Sequence, residues 1–152
     1  MRILRADGSA LRFQYDAAVR VVSVTAENQQ VVGGYRYGAT SARLMSDEGG
    51  VRTYYLWSGS AVISEYSESA SSGVVQWTKS CVYLGARLLA TLMPNGVGGE
   101  HVEYHQPDRL GTRLVTNAAN TNVVEQVTLP FGTALESEST GATTKRFTTY
   151  ER

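Results

Sequence analysis

The sequence has few of the residues from which a covalent or metal-held framework is built. Cys81 is its single cysteine, so neither an intrachain disulfide nor a cysteine-based zinc site can form. The ordinary role of such a residue is that of a small buried side chain. A reactive thiol is the alternative, although no histidine lies near it in the sequence.

An excess of charge of either sign is also missing. The 14 Lys and Arg residues balance the 14 Asp and Glu residues, which gives a formal net charge of zero. A nucleic-acid partner would require a basic excess, and so would attachment to an acidic membrane surface, so we predict neither. No apolar run reaches the length of a membrane span, and the opening residues MRILRADGSA lack the apolar core of a signal peptide.

Charged residues make up only 18% of the chain, and the polarity comes instead from hydroxyl and amide side chains and tyrosine. Hydroxyl and β-branched residues suit pleated strands better than long helices. Short alternating segments recur between polar or glycine-containing turns: FQYDAAVRVVSVT, VVGGYRYG, SARLM, VRTYYLW, AVISEYS and VVQWTKS. We therefore predict an all-β antiparallel meander of β-hairpins, forming one domain over residues 1–152, and leave open whether the sheet curls.

The segment CVYLGARLLATLM carries the clearest alternation. Its apolar face comprises Val82, Leu84, Ala86, Leu88, Ala90 and Leu92. This pattern predicts a single long strand with one buried side. The following PNGVGG predicts a turn, since Asn-Gly tolerates positive φ.

The later stretch RLVTNAANTNVVEQVTLPFG has the pattern of a second hairpin. RLVT and VVEQVTL are the predicted strands, and Asn117, Asn120 and Asn122 lie in the predicted turn. Pro130 ends the return strand, and Gly132 permits a bend. Nothing in this stretch resembles a nucleophile beside a base.

HVEYH contains the one constellation with the residue types of a metal site. His101, Glu103 and His105 alternate, so on a strand all three would face the same side. Two imidazoles and a carboxylate can hold zinc or iron. Such alternation is also what any half-exposed strand shows; we adopt that interpretation and predict no metal or cofactor.

Three further groups of residues have a structural and a functional interpretation. Asp108, with Arg109 and Arg113, suits an anion site or, more simply, a turn cap paired with an arginine. Trp57 and Trp77, together with Tyr54, Tyr55 and Tyr66, suit the stacking of sugar rings or the surface of an amphipathic sheet. Since the chain has neither a nucleophile elbow nor a phosphate loop, we predict that it is not an enzyme.

Tyrosines followed by small or turn-forming residues recur at an irregular spacing of about twenty residues. Tyr15-Asp16 precedes Arg20, and the motif HQPDRLGTR is followed by a hairpin and Pro-Phe-Gly. This ordered series, with YLWSGSAVISEY, YLGARLLA and KRFTTYER, resembles the Rhs or YD-repeat family of bacteria, above all its repeat-associated core. The matching core positions are Tyr104, Asp108, Leu110, Gly111, Thr112, Arg113, Pro130, Phe131 and Gly132.

The resemblance implies a structural role. In that family, YD repeats form a β-shell around a C-terminal toxin, and aspartates beyond the core release the toxin. We assign neither that cleavage nor a toxin domain to these residues. The expected partners are further YD repeats or a toxin domain, with self-association through sheet edges; the alternative is a carbohydrate- or cell-surface-binding β domain. Family members are typically exported or attached to the cell surface, but the sequence does not predict a compartment.

The chain departs from the family pattern at several turns. The usual glycine of the YD turn is Val19 here. Gly38, Leu56 and His105 stand where an aspartate is common. We therefore expect the turns at these positions to be held in a different way.

Overall fold

A computed structural model of the protein describes residues 2–4, 10–107, 112–117 and 123–125, and in these ranges every regular element is a β-strand. The strands are β1 (Arg2–Leu4), β2 (Ala10–Tyr15), β3 (Val21–Ala26), β4 (Val31–Tyr37), β5 (Arg43–Glu48), β6 (Val51–Ser58), β7 (Ala61–Ser69), β8 (Val75–Leu84), β9 (Arg87–Pro94), β10 (Glu100–Pro107), β11 (Thr112–Asn117) and β12 (Val123–Glu125). The contacts divide the chain into two compact units, Met1–Thr78 and Lys79–Arg152. Whether the chain acts as one domain stays a prediction.

The first unit is a meander of β1 to β7 with the start of β8. Strands adjacent in the sequence pair antiparallel, as in Phe13 opposite Val24 and Val24 opposite Gly33. Because directly paired residues share a face, these positions form one apolar row, in which Val24 is buried. Further along the same face, Tyr35 pairs with Ser46, which is also buried.

The second unit continues the same order from the end of β8 through β12. Cys81 pairs with Thr91, and Thr91 pairs with Glu103 on its other side. Among the described residues of this unit, the buried apolar ones are Cys81, Leu88, Ala90 and Val115. Cys81 thus has the buried position predicted for it. In both units the strand order is the sequence order, which confirms the predicted all-β antiparallel hairpin meander.

The prediction of one long strand from Cys81 to Met93 was wrong. The chain reverses at Gly85–Ala86, so that Leu84 pairs with Arg87 and Val82 pairs with Ala90. Gly85 has φ of 59°, a value that glycine adopts without steric cost. A bulge between Val82 and Tyr83 compensates for the two-residue turn and brings Val82 and Ala90 onto one face, so apolar alternation alone could not reveal the reversal. PNGVGG is a turn as predicted, with the Asn95 amide donating to the Gly99 carbonyl.

Three loops of the first unit share one backbone geometry. In Asp16–Arg20, Ala26–Gln30 and Gly38–Ala42, the first amide donates to the fifth carbonyl and the fourth amide donates to the first carbonyl. The fourth residue has a left-handed backbone in each case. These residues are Val19 (φ 60°), Gln29 (φ 64°) and Ser41 (φ 63°), and none of them is glycine. This is the three-residue hairpin loop that ends in a bulge.

The hairpin predicted in RLVTNAANTNVVEQ is present as far as the structure describes it. β11 and β12 pair antiparallel, with Val115 opposite Val124. Asn117 is the last residue of β11 and does not belong to the turn. Asn120, Asn122, Pro130 and Gly132 lie outside the described residues.

Candidate functional site

The most specific arrangement of side chains in the first unit is the turn that follows Tyr15. Asp16 accepts two backbone hydrogen bonds through Oδ1, from the Ala18 amide at 2.9 Å and the Arg20 amide at 3.0 Å. Its other oxygen, Oδ2, accepts from Arg20 Nε at 2.7 Å and lies 2.6 Å from Arg20 Nη2. A single carboxylate therefore holds the loop amides and the arginine that ends the loop, a structural role that suits an aspartate at the end of a strand.

Arg20 also reaches the next hairpin loop. Its Nη1 donates to the Gly38 carbonyl at 3.0 Å, and its guanidinium lies 5.0 Å from the centre of the Tyr37 ring. The Tyr37 hydroxyl in turn donates to the Val21 carbonyl at 2.9 Å. These three contacts connect the loop after β2 with the loop after β4, one hairpin further along the sheet.

The electrostatics of this turn follow from the same contacts. The side-chain hydrogen bond from Arg20 is the main cause that lowers the pKa of Asp16, and the backbone amide of Arg20 lowers it further. The carboxylate is therefore ionised at neutral pH. The loop that begins at Gly38 has the same two backbone hydrogen bonds as the Asp16 loop, but Gly38 supplies no carboxylate. Its side-chain contact comes instead from Arg20, which belongs to the preceding hairpin.

A second cluster lies on the face of Tyr35. The Arg43 guanidinium lies 5.7 Å from the centre of the Tyr35 ring and 5.3 Å from that of the Tyr55 ring. The Tyr55 hydroxyl is 3.0 Å from Oγ of the buried Ser46. Burial, followed by a hydrogen bond to Glu48, raises the pKa of Tyr35 to about 12. The cluster is a set of cation–π and hydroxyl contacts that joins β4, β5 and β6.

The opposite face carries a row of charges across three strands. Asp47 pairs with Arg52, and Arg52 pairs with Glu68. Arg52 Nε donates to Asp47 Oδ2 at 3.0 Å, and its Nη1 lies 3.8 Å from Glu68 Oε1. The Tyr54 hydroxyl donates to the Glu68 carboxylate, which is the first cause of the raised pKa of Tyr54.

The candidate metal residues lie on β10 but differ in their surroundings. His101 Nε2 is 3.6 Å from Glu103 Oε1, and both side chains are half-buried. His105 is buried, and its Nε2 lies 2.8 Å from the Thr91 hydroxyl. In the part of the chain that the structure describes, no group of three His, Cys, Asp or Glu residues is placed to hold a metal ion.

The motif positions carried by the family resemblance lie mainly outside the described residues. This is so for Asp108, Arg109, Leu110, Gly111, Pro130, Phe131 and Gly132. Tyr104 lies on β10 and is exposed, and Thr112 and Arg113 begin β11. The structural role assigned to this motif, and the cap assigned to Asp108, stay predictions.

The aromatic residues suggested for ligand stacking occupy consecutive strands. Trp57 is on β6 and Trp77 is on β8, with β7 between them. Both tryptophans are half-buried, as are Tyr54, Tyr55 and Tyr66. Trp57 Nε1 donates to the Arg43 carbonyl at 3.0 Å. Ligand stacking at the two tryptophans stays a prediction.

No family model matches the chain, and no curated protein matches it. Across the ranges described, no helix has the length and apolar character needed to cross a membrane. Reasoning from the sequence singled out Tyr15-Asp16 as a family signal but took FQYDAAVRVVSVT as one alternating segment, which the Asp16 turn divides into β2 and β3. It missed the contact from Arg20 to Gly38, because a bond between two hairpins leaves no local pattern.

Proposed function

We propose that this chain is a structural segment of an Rhs/YD-repeat β-shell, which encloses or presents a partner such as a C-terminal toxin and does no catalysis of its own. The observation that carries the proposal is the Asp16 turn. There, a Tyr-Asp pair at the end of a strand closes one hairpin and, through Arg20, binds the loop of the next hairpin. Repetition of such a contact is a means of extending a sheet hairpin by hairpin.

The physical need for this contact follows from the weakness of single hairpins. A two-stranded hairpin is marginally stable in water, and its partners must hold it in register. Arg20 and Tyr37 form hydrogen bonds to backbone carbonyls of neighbouring hairpins, which suits a wall that must keep its register over many strands. The proposal therefore assigns these side chains a role in assembly.

Exposed apolar side chains support the idea that the sheet is covered by something else. Leu84 is 70% exposed, and Val82 and Leu56 are both nearly half exposed. Among the residues described, no large side chain is fully buried. Several apolar side chains on a sheet surface mark a contact with neighbouring sheet or with an enclosed partner.

Light scattering after gel filtration, over a wide range of protein concentration, tests the proposal. We expect concentration-dependent self-association, because the sheet has apolar faces and strand edges that a wall would satisfy with its neighbours. Leu84→Ser and Val82→Thr should weaken that association, whereas Val97→Thr in the exposed loop after β9 should not. A monomer at every concentration would count against the wall.

The coding sequence on either side of this segment gives a second, independent test. Further Tyr-Asp repeats before Met1, or a toxin-like reading frame after Arg152, would support the shell. Neighbouring sequence without either feature would contradict it.

A further inference from the structure

The first unit contains an open depression of about 760 Å³, within the range of small-ligand sites. Gly34, Arg36, Met45, Asp47 and Tyr54 are among the residues that line it. Gly34 pairs with Asp47, and Met45 pairs with Arg36 on one side and Tyr54 on the other, so these residues share one face of β4, β5 and β6. The depression therefore lies on a regular part of the sheet.

The glycine in this depression is required neither by the backbone nor by packing. Gly34 does not have a left-handed backbone, and a Cβ there would meet only Asp47 Cβ, at 3.8 Å. Its neighbour Gly33 differs, since a Cβ there would lie 2.7 Å from the Tyr35 hydroxyl. Glycine within a strand costs about 0.5–1 kcal/mol and often marks a place where a ligand approaches the backbone. At Gly34, the missing side chain keeps the depression open.

The charges around the depression cancel. Asp16 and Arg20 line it as a pair that is already satisfied, and Asp47 is bound through one oxygen by Arg52. Arg36, which is exposed, supplies the remaining positive charge. With two acidic and two basic lining groups, the site selects for neither an anion nor a cation, but it offers both hydrogen-bond donors and acceptors.

An aromatic residue completes the set. Tyr54 lines the depression, and its hydroxyl is held by Glu68, which leaves the ring as an apolar surface. A sugar presents an apolar C–H face together with pairs of hydroxyls, and planar guanidinium and carboxylate groups bind such pairs. We propose that this depression binds an uncharged sugar residue, with Arg36 and Asp47 bound to its hydroxyls and Tyr54 against its apolar face.

Saturation-transfer NMR on the full chain tests the proposal with three free probes: D-glucose, D-galactose and N-acetylglucosamine. Gly34→Val places a branched side chain in the depression, and Arg36→Gln removes the guanidinium. Arg12→Gln is the matched control, since Arg12 is an exposed arginine on β2 that does not line the depression. Trp57→Ala separates this site from stacking at the tryptophans. The urea midpoint of each variant establishes that it folds.

We expect at least one of the three sugars to bind. Kd should rise about tenfold or more in Arg36→Gln, as for the loss of one hydrogen bond to a charged group, and should also rise in Gly34→Val, where the added side chain obstructs the site. Kd should be unchanged in Arg12→Gln and Trp57→Ala. No saturation transfer to any of the three sugars would overturn the proposal, and so would equal binding by Gly34→Val or a loss confined to Trp57→Ala. Because a free sugar on dilute protein is measured, the result is separate from self-association and from the wall role.

Discussion

Replacing Val19 by glycine should stabilise the first unit. Val19 is the fourth residue of the Asp16 loop and has φ of 60°, a left-handed conformation that is especially unfavourable for a β-branched side chain. Such a backbone costs an L-residue about 1–2 kcal/mol, and the branching of valine favours the upper end of that range.

Two smaller effects oppose the gain. Glycine loses more conformational entropy on folding, about 0.5–1 kcal/mol. The Val19 side chain is 79% exposed, so its removal sacrifices only a few tenths of a kcal/mol of burial, about a fifth of a full valine contribution. The relief of backbone strain therefore exceeds these two losses by a small margin, and we expect Val19→Gly to raise the free energy of unfolding by about 0.5 kcal/mol.

Tryptophan fluorescence during urea unfolding measures this change, because Trp57 and Trp77 are the two tryptophans of the chain and both lie in the first unit. With a denaturant slope of about 2 kcal/mol/M, the midpoint should rise by about 0.25 M at unchanged slope. Val19→Thr is the matched control, since it keeps the branching and should give no gain. A lower midpoint for Val19→Gly, or an equal rise in Val19→Thr, would refute the assignment of strain to this residue.

Three further predictions concern the same unit. Because the pKa of Asp16 is lowered, its carboxylate stabilises the fold at pH values above the ordinary pKa near 3.8, and this stabilisation is lost as the pH falls through the lower pKa of the folded state. Wild type should therefore be more stable than Asp16→Asn at neutral pH, and urea titrations in acid should show this difference in stability closing. A difference that is constant with pH would contradict the prediction. Gly33→Ala should lower the free energy of unfolding by about 1 kcal/mol, because the Tyr35 hydroxyl must move to make room for the new Cβ. Gly34→Ala should leave the free energy of unfolding equal or higher. Equal losses of stability in the two variants would show that the two glycines do not differ. The pKa of Tyr35 is raised to about 12, so its contribution to stability is complete below pH 10 and falls as the pH rises toward 12. Tyr35→Phe should therefore make the urea midpoint depend less on pH between these values, and should remove one late-titrating phenol from the ultraviolet titration. An unchanged titration would exclude the raised pKa.

The sequence predicted the strands well because half-buried strands show themselves locally. Alternation marked VRTYYLW and AVISEYS, which became β6 and β7, and the Asn-Gly pair marked the turn after β9. The failure at CVYLGARLLATLM has a clear cause. A two-residue turn inverts the alternation, so that Leu84 lies opposite Arg87, and the bulge between Val82 and Tyr83 restores it. Val82 and Ala90 therefore satisfy the alternating pattern in either topology.

The side-chain sites were less predictable because they depend on register. Arg43 on β5 contacts Tyr35 on β4 and Tyr55 on β6, and no spacing in the sequence shows that these three residues meet. The same holds for Arg52, which contacts Asp47 across the β5–β6 hairpin and Glu68 across the β6–β7 hairpin. Register follows from loop lengths and bulges, and a single misplaced residue would exchange the two faces.

Three hairpin loops of the first unit have no glycine at the position with a left-handed backbone. Val19, Gln29 and Ser41 each adopt positive φ where glycine would be free of strain. Their loops nevertheless share the same two backbone hydrogen bonds, so the hairpins must hold these residues in place. At the first of the three loops, the carboxylate of Asp16 and the guanidinium of Arg20 supply bonds that offset the strain at Val19. Loss of the Asp16 carboxylate should therefore harm a chain with valine at position 19 more than one with glycine there, so the free energies of the two substitutions should not add.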